Sequence, residues 1–120
     1  MSRSIRLELP YPPSANRLWR AVNGRQIKSG HYRLWLLEAV TAIRATLPNK
    51  GLSGPYRLMI QATAPDRRRR DLDNIIKPVG DALTQAGVVT DDCHCRELNV
   101  LWTSGIVKGG HVLAIVTEVV

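Results

Sequence analysis

The sequence predicts an α/β domain of the α+β-like kind, in which helices pack on a mixed β-sheet. Short segments with an apolar–polar period of two indicate strands, and longer segments with helical spacing lie between them, in the order β-α-β-α-β-β. The chain has 120 residues, of which 44% are hydrophobic and 22% charged. This composition is ordinary for a globular protein, and the length suffices for one core. We therefore interpret residues 1–120 as a single domain.

The first half of the chain predicts one strand, a loop and one helix. Apolar and charged residues alternate over 5–9, and Pro10 ends this strand because proline cannot continue a hydrogen-bonded ladder. Residues 14–30 are interpreted as a polar, glycine-containing loop. Ser29 is a suitable N-cap for a helix over about 31–47. The apolar stripe of this helix is predicted to consist of Leu34, Leu37, Val40, Ile43 and Leu47.

The second half predicts a strand, a helix and two final strands. Alternation over 56–62 indicates the strand, and a helix over about 74–86 follows, with Asp73 or Asn74 as its N-cap and Gly87 just past its end. Residues 96–104 and 111–119 are interpreted as strands that pair as a hairpin through Lys108-Gly109-Gly110. The last two strands would then be neighbours in the sheet.

Several classes of protein are disfavoured by the sequence. The longest apolar runs are far shorter than the roughly 18 residues of a membrane span, and the N-terminus lacks the apolar segment of a signal peptide. Two cysteines, Cys93 and Cys95, are too few for a disulfide framework. Neither a dinucleotide-binding nor a Walker glycine motif occurs. We expect a cytoplasmic protein without a small-molecule cofactor.

The charge distribution predicts a polyanionic partner. The formal net charge is +7, but residues 1–70 hold 14 of the 17 Lys and Arg against 3 acidic residues, whereas residues 71–120 hold 3 against 7. A basic excess on this scale is typical of nucleic-acid binding. The acidic second half is unusual for a protein that only contacts phosphate. A bound metal ion would explain why acids lie next to cations.

Five aspartates lie between positions 71 and 92, and three or four of them are expected to converge on a metal ion: Asp71, Asp73, Asp81, Asp91 and Asp92. If the chain enters the helix in an extended conformation, the carboxylates of Asp71 and Asp73 face the same side. Asp73, Lys77 and Asp81 share one helix face, and a return of the chain after the helix would bring one of the last two aspartates near Asp71. Mg²⁺ prefers such hard oxygen ligands and would polarise a phosphodiester, while Lys77 would stabilise charge on the phosphate or position the attacking water.

Structural explanations remain open for each of these groups. Asp73 would serve as a helix cap, and Asp73, Lys77 and Asp81 as a solvated salt-bridge ladder. Asp91-Asp92 would fit an ordinary turn, and Arg67–Arg70 a solvated loop. Cys93-His94-Cys95 lacks the four ligands of a zinc site. The aromatic residues Tyr11, Trp19 and Trp35 are expected to pack in the core.

Sequence motifs along the whole chain resemble the RusA family of Holliday-junction resolvases. The central motif is Asp66–Asn74, followed by Lys77 and by Asp81-Ala82-Leu83. Leu9–Arg17 is similar to the opening motif of that family, and Asp91-Asp92 to its later acidic pair. Lys108-Gly109-Gly110 lies where the family has its final hairpin. The segment Cys93–Arg96 departs from the family pattern.

The resemblance implies a site, a metal and a substrate. It implies that Asp71, Asp73 and Asp92 are essential carboxylates that bind Mg²⁺, with Mn²⁺ as an alternative ion, and that Asp91 and Lys77 support them. It also implies a homodimer, typically prophage-borne, whose substrate is a four-way DNA junction. The side chains that we expect to bind DNA are Asn16, Arg17, Arg20, Arg67, Arg68, Arg69 and Arg70.

The resulting hypothesis is a structure-specific endonuclease of DNA recombination and repair. It would resolve Holliday junctions by paired, symmetric hydrolysis of phosphodiesters. The first alternative is a catalytically silent DNA-binding or architectural module of the same fold. A second alternative is a prophage regulatory protein that binds another protein.

Overall fold

The computed structural model describes residues 3–14, 18–47 and 50–120. A 3₁₀ turn over Leu72–Ile75 precedes α2, and another over Asp92–His94 precedes β5. The strands and helices, in chain order, are β1 (Ser4–Leu9), β2 (Trp19–Val22), β3 (Arg25–Lys28), α1 (Gly30–Thr46), β4 (Tyr56–Ala64), α2 (Ile76–Gln85), β5 (Cys95–Ile106) and β6 (His111–Glu118).

The predicted mixed sheet is confirmed. Its strand order is β1-β6-β4-β5, with β4 and β5 parallel and the other pairs antiparallel. Parallel neighbours require a crossover connection, and α2 supplies it between β4 and β5. The apolar side chains of one sheet face, such as Leu7 and Ile60, form a single buried cluster with α1 and α2. This α+β architecture places the start of α2 beside the free edge of β5.

The predicted hairpin between the last two strands is wrong. Both strands exist, but β4 lies between them in the sheet, and the turn over 107–110 carries the chain across the end of β4. The N–H of Val107 donates to the carbonyl of Ala64 at 3.0 Å, which fixes this crossing. The physical reason lies in burial: the side chains of β5 are mostly exposed, which suits an edge, whereas the largely buried β6 fills the central position between β4 and β1.

The predicted loop over 14–30 is wrong in its second half, where β2 and β3 form a separate two-stranded hairpin. Asn23 and Gly24 connect these strands with φ angles of 51° and 75°. A two-residue turn with both central φ angles positive suits the twist of a hairpin, and Asn-Gly favours it strongly. This dipeptide is therefore the sequence signal for the hairpin.

Helix α1 confirms the prediction for 31–47, but not its buried face. The hydroxyl oxygen of Ser29 accepts a hydrogen bond from the N–H of Tyr32 at 3.1 Å and caps the helix as expected. Leu34 and Leu37, by contrast, are 57% and 65% exposed. The rings of Tyr32 and Trp35 determine which face of the helix packs against the sheet, since they remove the most apolar surface from water. The buried face consists of Tyr32, Trp35, Leu36, Ala39 and Ile43.

Helix α2 begins without the predicted cap. Neither Asp73 nor Asn74 is its N-cap, because both lie inside the preceding 3₁₀ turn and Ile75 takes the cap position. Gly87 has a φ of 80° just past the end of the helix, as predicted. In the described part of the chain, neither helix has the length and apolar character to cross a bilayer.

Candidate active site

The arginine-rich loop between β4 and α2 is organised by Asp66. One carboxylate oxygen accepts from the N–H of Arg68 at 2.8 Å, which closes a local turn. Both oxygens accept from the guanidinium of Arg70, at 2.6 and 3.1 Å. The hydrogen bonds from Arg70 and from the Arg68 backbone lower the pKa of Asp66 to about 2. Arg70 therefore holds the loop together, whereas Arg67 and Arg69 are exposed and form no salt bridge in the described chain.

Arg70 also fixes the wall of a cleft next to this loop. Its guanidinium lies 5.8 Å from the ring centroid of Tyr11. A Cβ at Gly110 would come within 2.8 Å of the same side chain, so the glycine lets the two segments pack closely. The cleft therefore combines the carboxylate of Asp71 with several guanidinium groups. It encloses about 840 Å³ and is lined by Tyr11, Pro12, Pro13, Ser14, Pro65, Arg68, Arg69, Arg70, Asp71, Asn74 and Ile75.

Asp71 and Asp73 do not line the same hollow, although an extended chain would have placed them on one side. Asp71 is extended, with φ −93° and ψ 131°, but the 3₁₀ turn begins at Leu72 and redirects the next carboxylate. Both side chains are exposed and neither forms a salt bridge within the residues described. Two carboxylates separated by one residue therefore face two adjoining hollows.

The second hollow lies between α2 and the edge of β5 and encloses about 410 Å³. Its lining brings together Asp73, Lys77 and Asp92. Burial raises the pKa of Tyr56 in this hollow to about 12, and the neighbouring acidic groups Cys95 and Asp92 add to the rise. The return of the chain after α2 thus brings Asp92 to the hollow of Asp73 rather than to that of Asp71. The other lining residues are Tyr56, Leu58, Ile76, Gly80, Cys95 and Leu98.

The two members of the Asp91-Asp92 pair differ in their surroundings. The carboxylate of Asp91 accepts a hydrogen bond from the N–H of Cys93 at 3.0 Å, which caps the short 3₁₀ turn and lowers the pKa of Asp91. Asp92 forms no salt bridge among the described residues and faces the hollow. Cys93 is exposed, Cys95 starts β5, and both thiols are free. The interpretation of the pair as an ordinary turn therefore explains Asp91. It does not explain Asp92, whose carboxylate lines the hollow.

Lys77 forms an ion pair with Asp81, at 2.9 Å between Nζ and Oδ1, rather than with Asp73. The hydrogen bond to Asp81 raises the pKa of Lys77, and the charges of Asp81 and Asp92 contribute in the same direction. Of the expected salt-bridge ladder, only the pair between Lys77 and Asp81 is therefore formed. Asp81 also accepts a hydrogen bond from the hydroxyl of the buried Tyr32, a contact that the sequence did not reveal.

The other predicted DNA-binding residues are Asn16, Arg17 and Arg20. Asn16 and Arg17 are outside the described residues. Arg20 is exposed on β2, and the hairpin adds two further cations, Arg25 and Lys28, which the sequence reasoning missed. The dipeptide Asn23-Gly24 is the sequence signal that predicts a single two-stranded ribbon for all three cations.

The three aromatic residues that were expected in the core differ in their burial. Trp35 is 5% exposed and Tyr11 packs against the core, as expected, but Trp19 is 40% exposed at the base of the hairpin. The indole N–H of Trp35 donates to the carbonyl of Pro10 at 3.0 Å. The expectation for Trp19 is wrong because its ring is covered only in part, by an edge contact with Tyr32.

The hollow that holds Asp73 and Asp92 can be compared with the needs of a metal ion. Across residues 3–14, 18–47 and 50–120, no three His, Cys, Asp or Glu side chains are grouped closely enough to form a metal site by themselves. Mg²⁺, however, commonly uses one or two carboxylates and takes its remaining ligands from water and substrate phosphate. The exposed carboxylates of Asp73 and Asp92 on one hollow fit that requirement.

Comparison with known proteins gives matches over nearly the whole chain. A sequence model of the family described as Endodeoxyribonuclease RusA matches residues 10–109. The chain is 37% identical over 112 residues to the protein named Crossover junction endodeoxyribonuclease RusA from Escherichia coli strain K12 and to the one from Enterobacteria phage 82. Each alignment covers 93% of this chain and 92% of the relative. The chain therefore belongs to the RusA family and is a nuclease.

Proposed function

We propose that this protein is a Mg²⁺-dependent endonuclease that resolves four-way DNA junctions by paired, symmetric cuts, in recombination and repair in the cytoplasm. The observation that carries the proposal is the hollow in which Asp73, Asp92 and Lys77 meet at the edge of β5. The similarity to proteins named crossover junction endodeoxyribonucleases supports the junction as substrate. The phage relative supports a prophage origin.

Asp73 and Asp92 would hold the metal, with Asp71 and Asp91, close by in the sequence, as additional carboxylates. When bound, a divalent cation supplies the positive charge that polarises a phosphodiester. The carboxylates place that charge at an open sheet edge, where a DNA strand can enter. Lys77 lies on the same hollow, and its ammonium group would stabilise the negative charge that develops on phosphate.

The cationic surfaces on either side of the site would bind the arms of the junction. Arg67 and Arg69 are exposed, and their guanidinium groups would contact phosphate. The β2–β3 hairpin carries Arg20, Arg25 and Lys28, and no acidic residue occurs in the sequence between Glu8 and Glu38. A two-stranded β-ribbon also has dimensions that the major groove admits. We therefore extend the proposed DNA-binding set to the whole hairpin.

A synthetic four-way junction, incubated with the protein in Mg²⁺ or in chelator, tests this function directly. We expect paired nicks at symmetric positions in the presence of Mg²⁺ or Mn²⁺ and none with chelator. A linear duplex of the same sequence should be cut far less. Retardation of the junction without cleavage in either metal would instead identify a silent DNA-binding module.

Replacing exposed arginines of the loop should change the salt dependence of junction binding. For the double variant Arg67→Gln and Arg69→Gln, the slope of log K against log salt should fall by roughly 0.9 for each phosphate that is no longer neutralised. Arg70→Gln is the matched comparison, because Arg70 is bound to Asp66 and should mainly affect the loop and Tyr11. Binding isotherms at several salt concentrations measure the slope. An unchanged slope in the double variant would mean that these arginines do not contact DNA.

Paired cleavage should require two copies of the chain. Each chain has one hollow with Asp73 and Asp92, whereas symmetric cuts need two equivalent sites, which a two-fold dimer provides. Because each protomer has a net charge of +7, the contact between copies should be mainly apolar. We expect sedimentation near twice 13.4 kDa, alone or on a junction. A protein that stays monomeric on DNA and still makes paired nicks would contradict the dimer.

A further inference from the structure

The carboxylate of Asp81 is fixed on both of its oxygens. Oδ1 lies 2.9 Å from Nζ of Lys77, one helical turn earlier, and Oδ2 accepts from the hydroxyl of Tyr32 on α1. The Asp81 side chain is only 17% exposed, whereas that of Lys77 is 58% exposed. The ion pair therefore connects a sheltered anion to a cation at the rim of the hollow.

Tyr32 is itself immobilised by its surroundings. It is fully buried, and its ring lies edge-on to Trp19 at 6.0 Å and stacks on Trp35 at 6.3 Å between centroids. Its backbone N–H donates to the Ser29 cap at the start of α1. A ring held in this way cannot follow Asp81 if that side chain rotates. The hydroxyl of Tyr32 thus defines where the Asp81 carboxylate remains.

Lys77 shares its hollow with two other carboxylates. Asp92 lines the same hollow, and Asp73 lies four residues earlier on the same side of the turn and helix. Without a stronger partner, the ammonium group would pair with one or both of them. Such a pair would neutralise the carboxylates that the proposed function assigns to the metal.

We propose that Asp81, braced by Tyr32, is a positioning residue that holds the ammonium group of Lys77 at the rim and away from Asp73 and Asp92. Only the expected effect on cleavage rests on the proposed function. The pairing itself is a property of the chain without metal or DNA. Asp81 touches neither the metal nor the DNA and acts entirely through Lys77.

A double-mutant cycle tests whether Asp81 acts through Lys77. Asp81→Asn should lower single-turnover cleavage of a saturating junction roughly 10–100-fold, the range for residues that orient a metal-site group. In a Lys77→Met background the same change should alter the residual rate by no more than about twofold, because the residue through which it acts is gone. Junction affinity should be unchanged. An equal loss in both backgrounds, or no loss in either, would overturn the proposal.

Lysine labelling provides a readout that does not depend on cleavage. With limiting acetic anhydride and no metal, Lys77 should be acetylated several-fold faster in Asp81→Asn, since an exposed pair with Asp73 or Asp92 holds it more weakly. Lys108, which lies in an exposed turn, serves as the internal reference. An unchanged rate at Lys77 would overturn the proposal, even if the unsubstituted protein cut no junction and the proposed function had failed. If Asp81→Asn does not fold, Tyr32→Phe replaces it in both experiments, with changes expected in the same direction.

Discussion

Replacing Asp73 with asparagine should abolish cleavage and leave both the fold and junction binding intact. Even residues that only orient a metal ligand cost about 10–100-fold when removed, so a direct ligand should cost about 100-fold or more. The fold should tolerate the change, because the Asp73 side chain is exposed and makes neither a helix cap nor a salt bridge within the described chain. Single-turnover cleavage and gel retardation of the same junction measure the two properties separately.

Glu38→Gln is the matched control for this substitution. Glu38 is an exposed acid on α1, and its replacement removes the same single charge at a site that takes no part in the hollow. Junction binding by Asp73→Asn should equal or exceed that of the parent in the absence of metal, since a carboxylate near phosphate repels it. Full activity of Asp73→Asn at ordinary Mg²⁺ concentration would exclude Asp73 as a ligand and direct the search to Asp71 and Asp92.

Gly51→Ala should destabilise the protein by about 2–3 kcal/mol, the upper range for forcing an extra methyl group into a packed site. The new Cβ would press on the carbonyl oxygens of Gly87 and Val88 and lie 2.7 Å from the Val88 carbonyl carbon. These are backbone atoms, so relief requires the chain itself to move. Leu52 also donates to the Val88 carbonyl at 2.6 Å, and this strand-like contact leads directly into Asp91 and Asp92. Cleavage should therefore fall together with stability.

Gly54→Ala offers a control three residues away. A Cβ at Gly54 has no heavy atom within 4 Å outside its own neighbours, and the residue is not in the left-handed region. The unfolding free energy of the Gly54→Ala variant in urea should stay within about 0.5 kcal/mol of the parent value, as for ordinary surface changes. Equal stability of the two alanine variants would show that the chain yields easily at Gly51, and that the segment before Asp92 is not held there.

The predicted and observed folds agree best where a feature depends on residues that are neighbours in the sequence. The strands around Leu7 and Ile60 follow from alternation, and the Ser29 cap and Gly87 follow from local backbone needs. The buried face of α1 did not follow from its aliphatic residues. Periodicity locates a helix well, but several stripes compete for burial, and only the partner surface selects one.

The order of strands in the sheet depends instead on residues that are far apart in the sequence. The four-residue connection between β5 and β6 fits a hairpin equally well on local grounds. The observed order places β6 between β4 and β1, and the β1–β6 pair joins strands at opposite ends of the chain. No local pattern contains that information, since it arises from the hydrogen-bonding needs of the whole sheet.

The sequence by itself determined the chemical inventory of this protein: its basic first half, its arginine loop and its run of aspartates in a RusA-like pattern. Only the tertiary structure decided how that inventory is divided. It separates Asp71 from Asp73, pairs Arg70 with Asp66, and gives Lys77 a braced partner in Asp81. The physical reason is that residue type sets which interactions a side chain can form, whereas packing between distant segments determines which of them it does form.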